Sequence, residues 1–156
     1  LFGELRDAHG GQPWWTWPAA VRDRDPGALD AARQTHGAGV AERSVLAFLF
    51  DHQWSALVDA AEAAGVLLVG DLPIYVSRDS ADAWAARGRF EFGPDGAPAR
   101  VAGVPPDAFS DTGQLWGNPL YDWDAMAADD YAWWVQRLER CLGWTPVLRI
   151  DHFRGF

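Results

Sequence analysis

The chain has 156 residues, an apolar fraction of 49% and a formal net charge of −9, from 22 acidic against 13 basic side chains. That is enough apolar material for one domain with a real core, whereas a nucleic-acid partner or an anionic membrane surface would call for a basic face. No run of about 18 apolar residues occurs, so nothing in the sequence is expected to span a bilayer.

Cys141 is the sole cysteine. It excludes an intrachain disulfide or a thiol metal cluster, predicts a half-buried helix cysteine and fits a reducing cytoplasm. The ten tryptophans have two readings, a large core or a set of aromatic platforms for a ligand with apolar faces such as a sugar ring. Composition does not choose between them.

In chain order, residues 1–39 read as irregular, because "GGQPWWTWP" and "DRDPG" are dense in turn and breaker residues. A helix is predicted over about 40–65, where Val45, Phe48, Leu49, His52 and Ala56 form one apolar stripe. Leu46, Phe50, Trp54, Leu57, Val58 and Ala61 form an adjoining one. Two stripes predict a helix covered on more than one side, with His52 hydrogen-bonded within it. Gly65 stands where a C-terminal glycine closes a helix.

Next comes "VLLVGD", whose continuous apolar run Val66–Val69 predicts a parallel strand buried on both faces, with Gly70 and Asp71 at its carboxyl end. "RDSADAWAAR" predicts a short helix capped by Asp79 or Ser80, and "FEFGPDGAPARV" a small hairpin turning at "GPDG". Residues 102–123 read as a long loop, anchored by Phe109, Leu115, Trp116, Leu120, Tyr121 and Trp123 and hence ordered and functional. A second helix is predicted over roughly 124–142, and "PVLRID" as a second buried strand.

This order is a β/α grammar with parallel strands, the signature of an α/β fold. Two strands neither close a barrel nor cover themselves, so the sequence predicts an incomplete sheet belonging to something larger.

In α/β barrels the reactive groups stand at the carboxyl ends of the strands. Asp71 and Asp151 occupy such ends and face one rim if their strands are neighbours. Residues two apart on a strand share a face, so Arg149 and Asp151 point the same way. An adjacent arginine favours the ionised carboxylate and orients it, as a nucleophile or charge stabiliser requires. An ordinary interior ion pair is the competing reading. His152 and Arg154 either bind substrate hydroxyls or brace the loop.

"GDLPIYVSRDSADAW", "GVPPDAFSDTGQLWGNPLYDWD" and "LRIDHFRGF" together resemble the amylomaltase family, the 4-α-glucanotransferases or disproportionating enzymes related to the α-amylase superfamily. The resemblance runs from about "PWWTWP" to Phe156 and is strongest from residue 66 onward. It implies part of a (β/α)8 barrel of about two strands, incomplete at both ends, whose active site breaks α-1,4 glucosidic bonds with retention. It also implies Asp151 as nucleophile, Arg149 as its support and Asp71 as a substrate contact. Asp107, Phe109, Trp116, Asn118 and His152 become candidate sugar contacts, the first four on a loop over a glucan channel.

The implied partners are maltooligosaccharides, amylose, and starch- or glycogen-derived glucans, with no nucleic acid and no membrane. No metal or cofactor is expected: the histidines at 9, 36, 52 and 152 have no ligand spacing, and two carboxyl groups suffice for glycosyl transfer.

The family's acidic glutamate and second aspartate lie on later strands. Glu91, in a surface hairpin, and Glu139, on a helix, do not replace them, so the 156-residue piece is expected to be inactive alone. An α-amylase-like hydrolase and a non-catalytic carbohydrate-binding or scaffold piece are the alternatives.

Overall fold

A computed structural model describes residues 1–108 and 110–156 of the chain. Its elements follow in the order α1 (Phe2–Ala8), α2 (Ala19–Arg22), α3 (Pro26–Ala63), β1 (Val69–Leu72), α4 (Ala81–Ala85), β2 (Val101–Val104), β3 (Gln114–Pro119), α5 (Trp123–Ala127), α6 (Ala132–Leu142) and β4 (Val147–Ile150). The chain divides into two units, Leu1–Thr35 with Tyr75–Asp130, and His36–Ile74 with Tyr131–Phe156. Among the described residues no helix is long and apolar enough to cross a membrane.

The first unit corrects the irregular excursion expected over 1–39, because α1, α2 and the start of α3 are helical there. The breakers of "GGQPWWTWP" and "DRDPG" sit between helices or in a helix's first turn. Pro26 opens α3, where a missing N–H costs nothing, and Asp25 Oδ1 accepts from the Ala28 amide at 2.9 Å. The helix therefore begins well before residue 40. Leu5, Trp14, Trp17, Leu29, Ala32 and Trp84 form the core of this unit. The indole N–H groups of the three core tryptophans find backbone carbonyls: Trp14 on Arg78 (2.7 Å), Trp17 on Gln12 (2.9 Å) and Trp84 on Val21 (3.2 Å). A buried indole donor without an acceptor would cost on the order of 1–3 kcal/mol, so these bonds fix where each ring is placed. For these three residues the core reading of tryptophan holds.

Ser80 caps α4 as expected, accepting from the Ala83 amide at 3.1 Å. The hairpin at "GPDG" is also present, with the Gly93 amide donating to Ala97 O at 2.7 Å. The long loop expected over 102–123 is instead largely a hairpin. β2 pairs antiparallel with β3, with a bulge between Val101 and Gly103. Gly103, Gly117 and Pro119 lie in these strands, and glycine and proline are depleted in strands, which hid the pairing from a propensity reading. Gly113 turns the chain at φ +73°, and a Cβ there would stand 2.5 Å from Val104 O.

In the second unit, β1 and β4 pair in parallel, Val69 with Val147 and Asp71 with Arg149. The expected strand pairing is present, but β1 lies three residues later than the apolar run suggested. Val66, Leu67 and Val69 are more than half exposed, against the expectation of burial on both faces. The same correction applies to α3, where Val45, Leu46, Phe48, Leu49, Phe50 and Leu57 are exposed. A two-stranded sheet covers little, so the apolar pattern records more burial than this chain provides. His52 is likewise exposed and stacks on Phe48 at 6.4 Å.

The end of α3 is as the sequence predicts. Gly65 at φ +73° lets the Val66 amide reach Ala61 O (2.8 Å) and the Gly65 amide reach Glu62 O (2.9 Å), the double bond of a Schellman motif.

The single helix expected over 124–142 is two. Asp130 and Tyr131 adopt left-handed backbone, at φ 54° and 58°, and separate α5 from α6. Aspartate tolerates this conformation better than most residues, and the preceding Asp129 is drawn into an ion pair with Arg89. Cys141 is half-buried on α6, as expected.

Behind β4, Asp51 of α3 accepts from Arg140 Nη2 (2.6 and 2.8 Å) and from Trp144 Nε1 (2.9 Å), while Trp54 Nε1 donates to Trp144 O at 2.7 Å. The Arg140 bond, then the Trp144 bond, hold the Asp51 carboxyl below the usual carboxylate range. A depressed folded-state pKa stabilises the fold above the unfolded value of about 4, and the contribution is lost as pH falls through the folded value. Asp51→Asn should therefore melt below the parent at neutral pH, with the gap narrowing under acid. A gap that stays constant from about pH 7 to about pH 3 would count against this.

Candidate active site

The two-residue period of β4 puts Arg149 and Asp151 on one face, and their side chains meet: Arg149 Nη2 lies 2.5 Å from Asp151 Oδ1. The parallel register sets Asp71 opposite Arg149, and Arg149 Nη1 lies 3.4 Å from Asp71 Oδ1. One guanidinium thus bridges the two strand-end carboxylates. The side chains of Arg149, Asp71 and Asp151 are 63%, 57% and 55% exposed. Ion pairs so exposed contribute only about 0–1 kcal/mol, so the bridge adds little to stability.

The backbone adds to this orientation. The Asp151 amide donates to Leu72 O at 3.1 Å, extending the parallel ladder one bond beyond β4. His152 then turns into the left-handed region at φ 52° and opens a 3-10 turn over Phe153–Gly155, with the Gly155 amide on His152 O at 2.9 Å. A non-glycine residue in this conformation is strained. The strain falls directly after Asp151, where it ends the strand and leaves the carboxylate at its tip. Asp71, Arg149 and Asp151 are therefore brought together in the second unit, and His152 follows Asp151 in the chain.

The other expected contacts belong to the first unit. Asp107 is exposed at the tip of the β2–β3 hairpin, where its Oδ1 accepts from the Ser110 amide at 3.0 Å. Phe109 lies outside the described residues. Trp116 is exposed on β3, with Nε1 donating to Gln114 Oε1 at 2.9 Å and its ring 6.2 Å from that of Tyr75. Asn118 is half-buried and donates Nδ2 to Val76 O at 2.8 Å, tying β3 to the segment that follows β1.

Tyr75 was not anticipated. It stacks on Tyr121 at 6.0 Å as well as facing Trp116, and burial raises its hydroxyl pKa. Its signal was available: Leu72, Ile74 and Val76 are buried, so the alternation of β1 continues past the strand and turns Tyr75 to the other side.

Glu91 pairs with Arg100, whose hydrogen bond holds the carboxyl below its ordinary range. A general acid needs the opposite displacement. Glu139 lies on α6.

A family model described as 4-alpha-glucanotransferase matches residues 1–156. A 4-alpha-glucanotransferase of Thermus thermophilus is 47% identical over 156 residues, covering 100% of this chain and 31% of that protein. The chloroplastic/amyloplastic 4-alpha-glucanotransferase of Solanum tuberosum is 46% identical over 143 residues, covering 92% of this chain and 25% of its own length. Among solved structures, an amylomaltase from Streptococcus agalactiae in complex with acarbose superposes with a TM-score of 0.92 at 38% identity, over 99% of this chain and 32% of that one. The chain thus spans about a quarter to a third of the length of these relatives.

Proposed function

This chain belongs to the 4-alpha-glucanotransferase family, and from that premise we propose that it is the nucleophile-bearing part of a retaining 4-α-glucanotransferase built on a (β/α)8 barrel. The enzyme moves α-1,4-glucan segments between maltooligosaccharides. The observation that carries the reading is the Arg149 guanidinium between Asp151 and Asp71 at the ends of two parallel strands.

A retaining glycosyl transfer uses two carboxyl groups about 5–5.5 Å apart. Asp151 attacks the anomeric carbon as the glycosidic bond breaks, and the general acid gives its proton to the leaving oxygen. A sugar hydroxyl of the acceptor, deprotonated by the same group, then displaces Asp151 and restores its carboxylate. Arg149 holds the attacking oxygen in line, and Asp71 accepts hydrogen bonds from substrate hydroxyls. We place the general acid in the part of the relatives' length that this chain does not span, so the isolated 156-residue chain should not disproportionate maltodextrins.

Asp107, Phe109, Trp116, Asn118 and His152 are the proposed sugar contacts. Trp116 is the most direct of these, an exposed indole on a hairpin. Ring stacking of this kind contributes about 0.5–1.5 kcal/mol. Trp116→Ala in the full-length protein should raise KM for maltooligosaccharides roughly 3- to 10-fold with little change in kcat. An unaltered KM would remove Trp116 from the site. The activity itself is tested with maltotriose and the full-length protein: a ladder of longer and shorter products on thin-layer chromatography supports transfer, whereas glucose and maltose alone would mark a hydrolase.

A further inference from the structure

We infer that Arg137, on α6, is a positioning residue for the strand-end carboxylates. Its guanidinium donates Nη2 to Pro73 O at 2.7 Å and Nη1 to Ile74 O at 3.1 Å. The carbonyl just before these, Leu72 O, is the one that receives the Asp151 amide. Three successive carbonyls after Asp71 are therefore held, the first by the backbone of Asp151 and the next two by one arginine fork. Pro73 has no N–H and cannot donate to a ladder, and Arg137 supplies donors to its carbonyl and to the next.

The same helix reaches the other side of the pair. Trp134 of α6 is buried, and its ring packs at 4.8 Å on that of Phe156, the residue closing the turn that begins at Asp151. The Arg137 guanidinium lies 5.0 Å from the Trp134 ring and 5.3 Å from the Trp133 ring, within cation–π range of both. Arg137 is thereby seated on the two indoles that α6 presents, its fork spread across the backbone that follows Asp71. Lysine would keep the charge but lose the planar fork that spans two carbonyls.

The consequence is geometric: Arg137 and Trp134 fix the backbone on either side of the Asp71–Arg149–Asp151 bridge without touching its carboxylates. Displacing a reacting group by about 1 Å costs on the order of a hundredfold in rate, whereas substrate binding spread over other contacts changes little.

This inference rests on Asp151 being the nucleophile, and its test separates the two. In the full-length protein, Arg137→Met, Arg137→Lys and Asp151→Asn are compared with the parent in maltotriose disproportionation, with rates normalised to folded protein by near-ultraviolet circular dichroism. The expected result is a fall in kcat of more than about fivefold for Arg137→Met, a KM within about twofold, and partial recovery in Arg137→Lys. A kcat per folded molecule that falls less than about fivefold in Arg137→Met overturns the inference and leaves the nucleophile assignment standing. Should Arg137→Met not fold, Arg137→Lys decides: a kcat per folded molecule below half the parent value, at unchanged KM, supports positioning, and parental kcat overturns it. Transfer activity surviving in Asp151→Asn would overturn the nucleophile assignment and this inference with it.

Discussion

Asp151→Asn in the full-length protein is expected to lower the rate of maltotriose disproportionation by at least about a thousandfold, the scale on which loss of a covalent nucleophile is felt. The substitution keeps shape and one acceptor oxygen, so Arg149 retains a hydrogen-bond partner and the β4 terminus its geometry. On the proposed mechanism, what it removes is the anionic oxygen that attacks the anomeric carbon. Binding of a long maltooligosaccharide, measured by calorimetry, should change far less than the rate. Residual activity within about tenfold of the parent would show that Asp151 is a structural ion-pair member and that the attack comes from elsewhere.

The second large effect is on stability. Gly70 lies in β1 directly before Asp71, and an added Cβ would stand 2.4 Å from Thr145 Oγ1 and 3.1 Å from Leu148 Cδ1. Thr145 has little freedom to retreat: it is buried, β-branched, and its hydroxyl donates to Val147 O at 3.1 Å. Gly70→Ala must therefore push β1 from β4, and overpacking of this kind costs about 1–3 kcal/mol. A denaturant titration should show the loss as a lowered midpoint at unchanged slope. Removing the obstructing hydroxyl in Gly70→Ala/Thr145→Ala should restore part of it. If the double variant is as unstable as the sum of the singles, the clash is not the cause.

The site was more legible than the elements around it, for a physical reason. The two-residue period of a strand is rigid, so "LRID" was enough to place Arg149 beside Asp151, and parallel pairing of adjacent strand ends then brought in Asp71. The helices were misjudged where a residue type has two uses. Pro26, a breaker by residue type, is a helix opener here. The helix expected over roughly 124–142 runs across Asp130 and Tyr131, where left-handed backbone interrupts it. The β2–β3 hairpin was invisible to propensity because its short strands contain Gly103, Gly117 and Pro119. Periodicity identified the apolar stripes of α3 correctly, but a stripe says only that a surface is suited to burial. Phe48, 68% exposed, shows that the covering partner is a separate fact.

The parallel pairing of β1 with β4 also has a kinetic consequence. The ladder joins Val69–Leu72 to Val147–Ile150, with the whole of Pro73–Pro146 running between them. Closing a connection of this length costs about 2 kcal/mol more in chain entropy than closing one of ten residues, and such distant contacts form slowly. The hairpin of β2 and β3 and the turns of α3 need no such search. Asp71 and Asp151 therefore become neighbours late in the folding of this chain, after the local elements between them have formed.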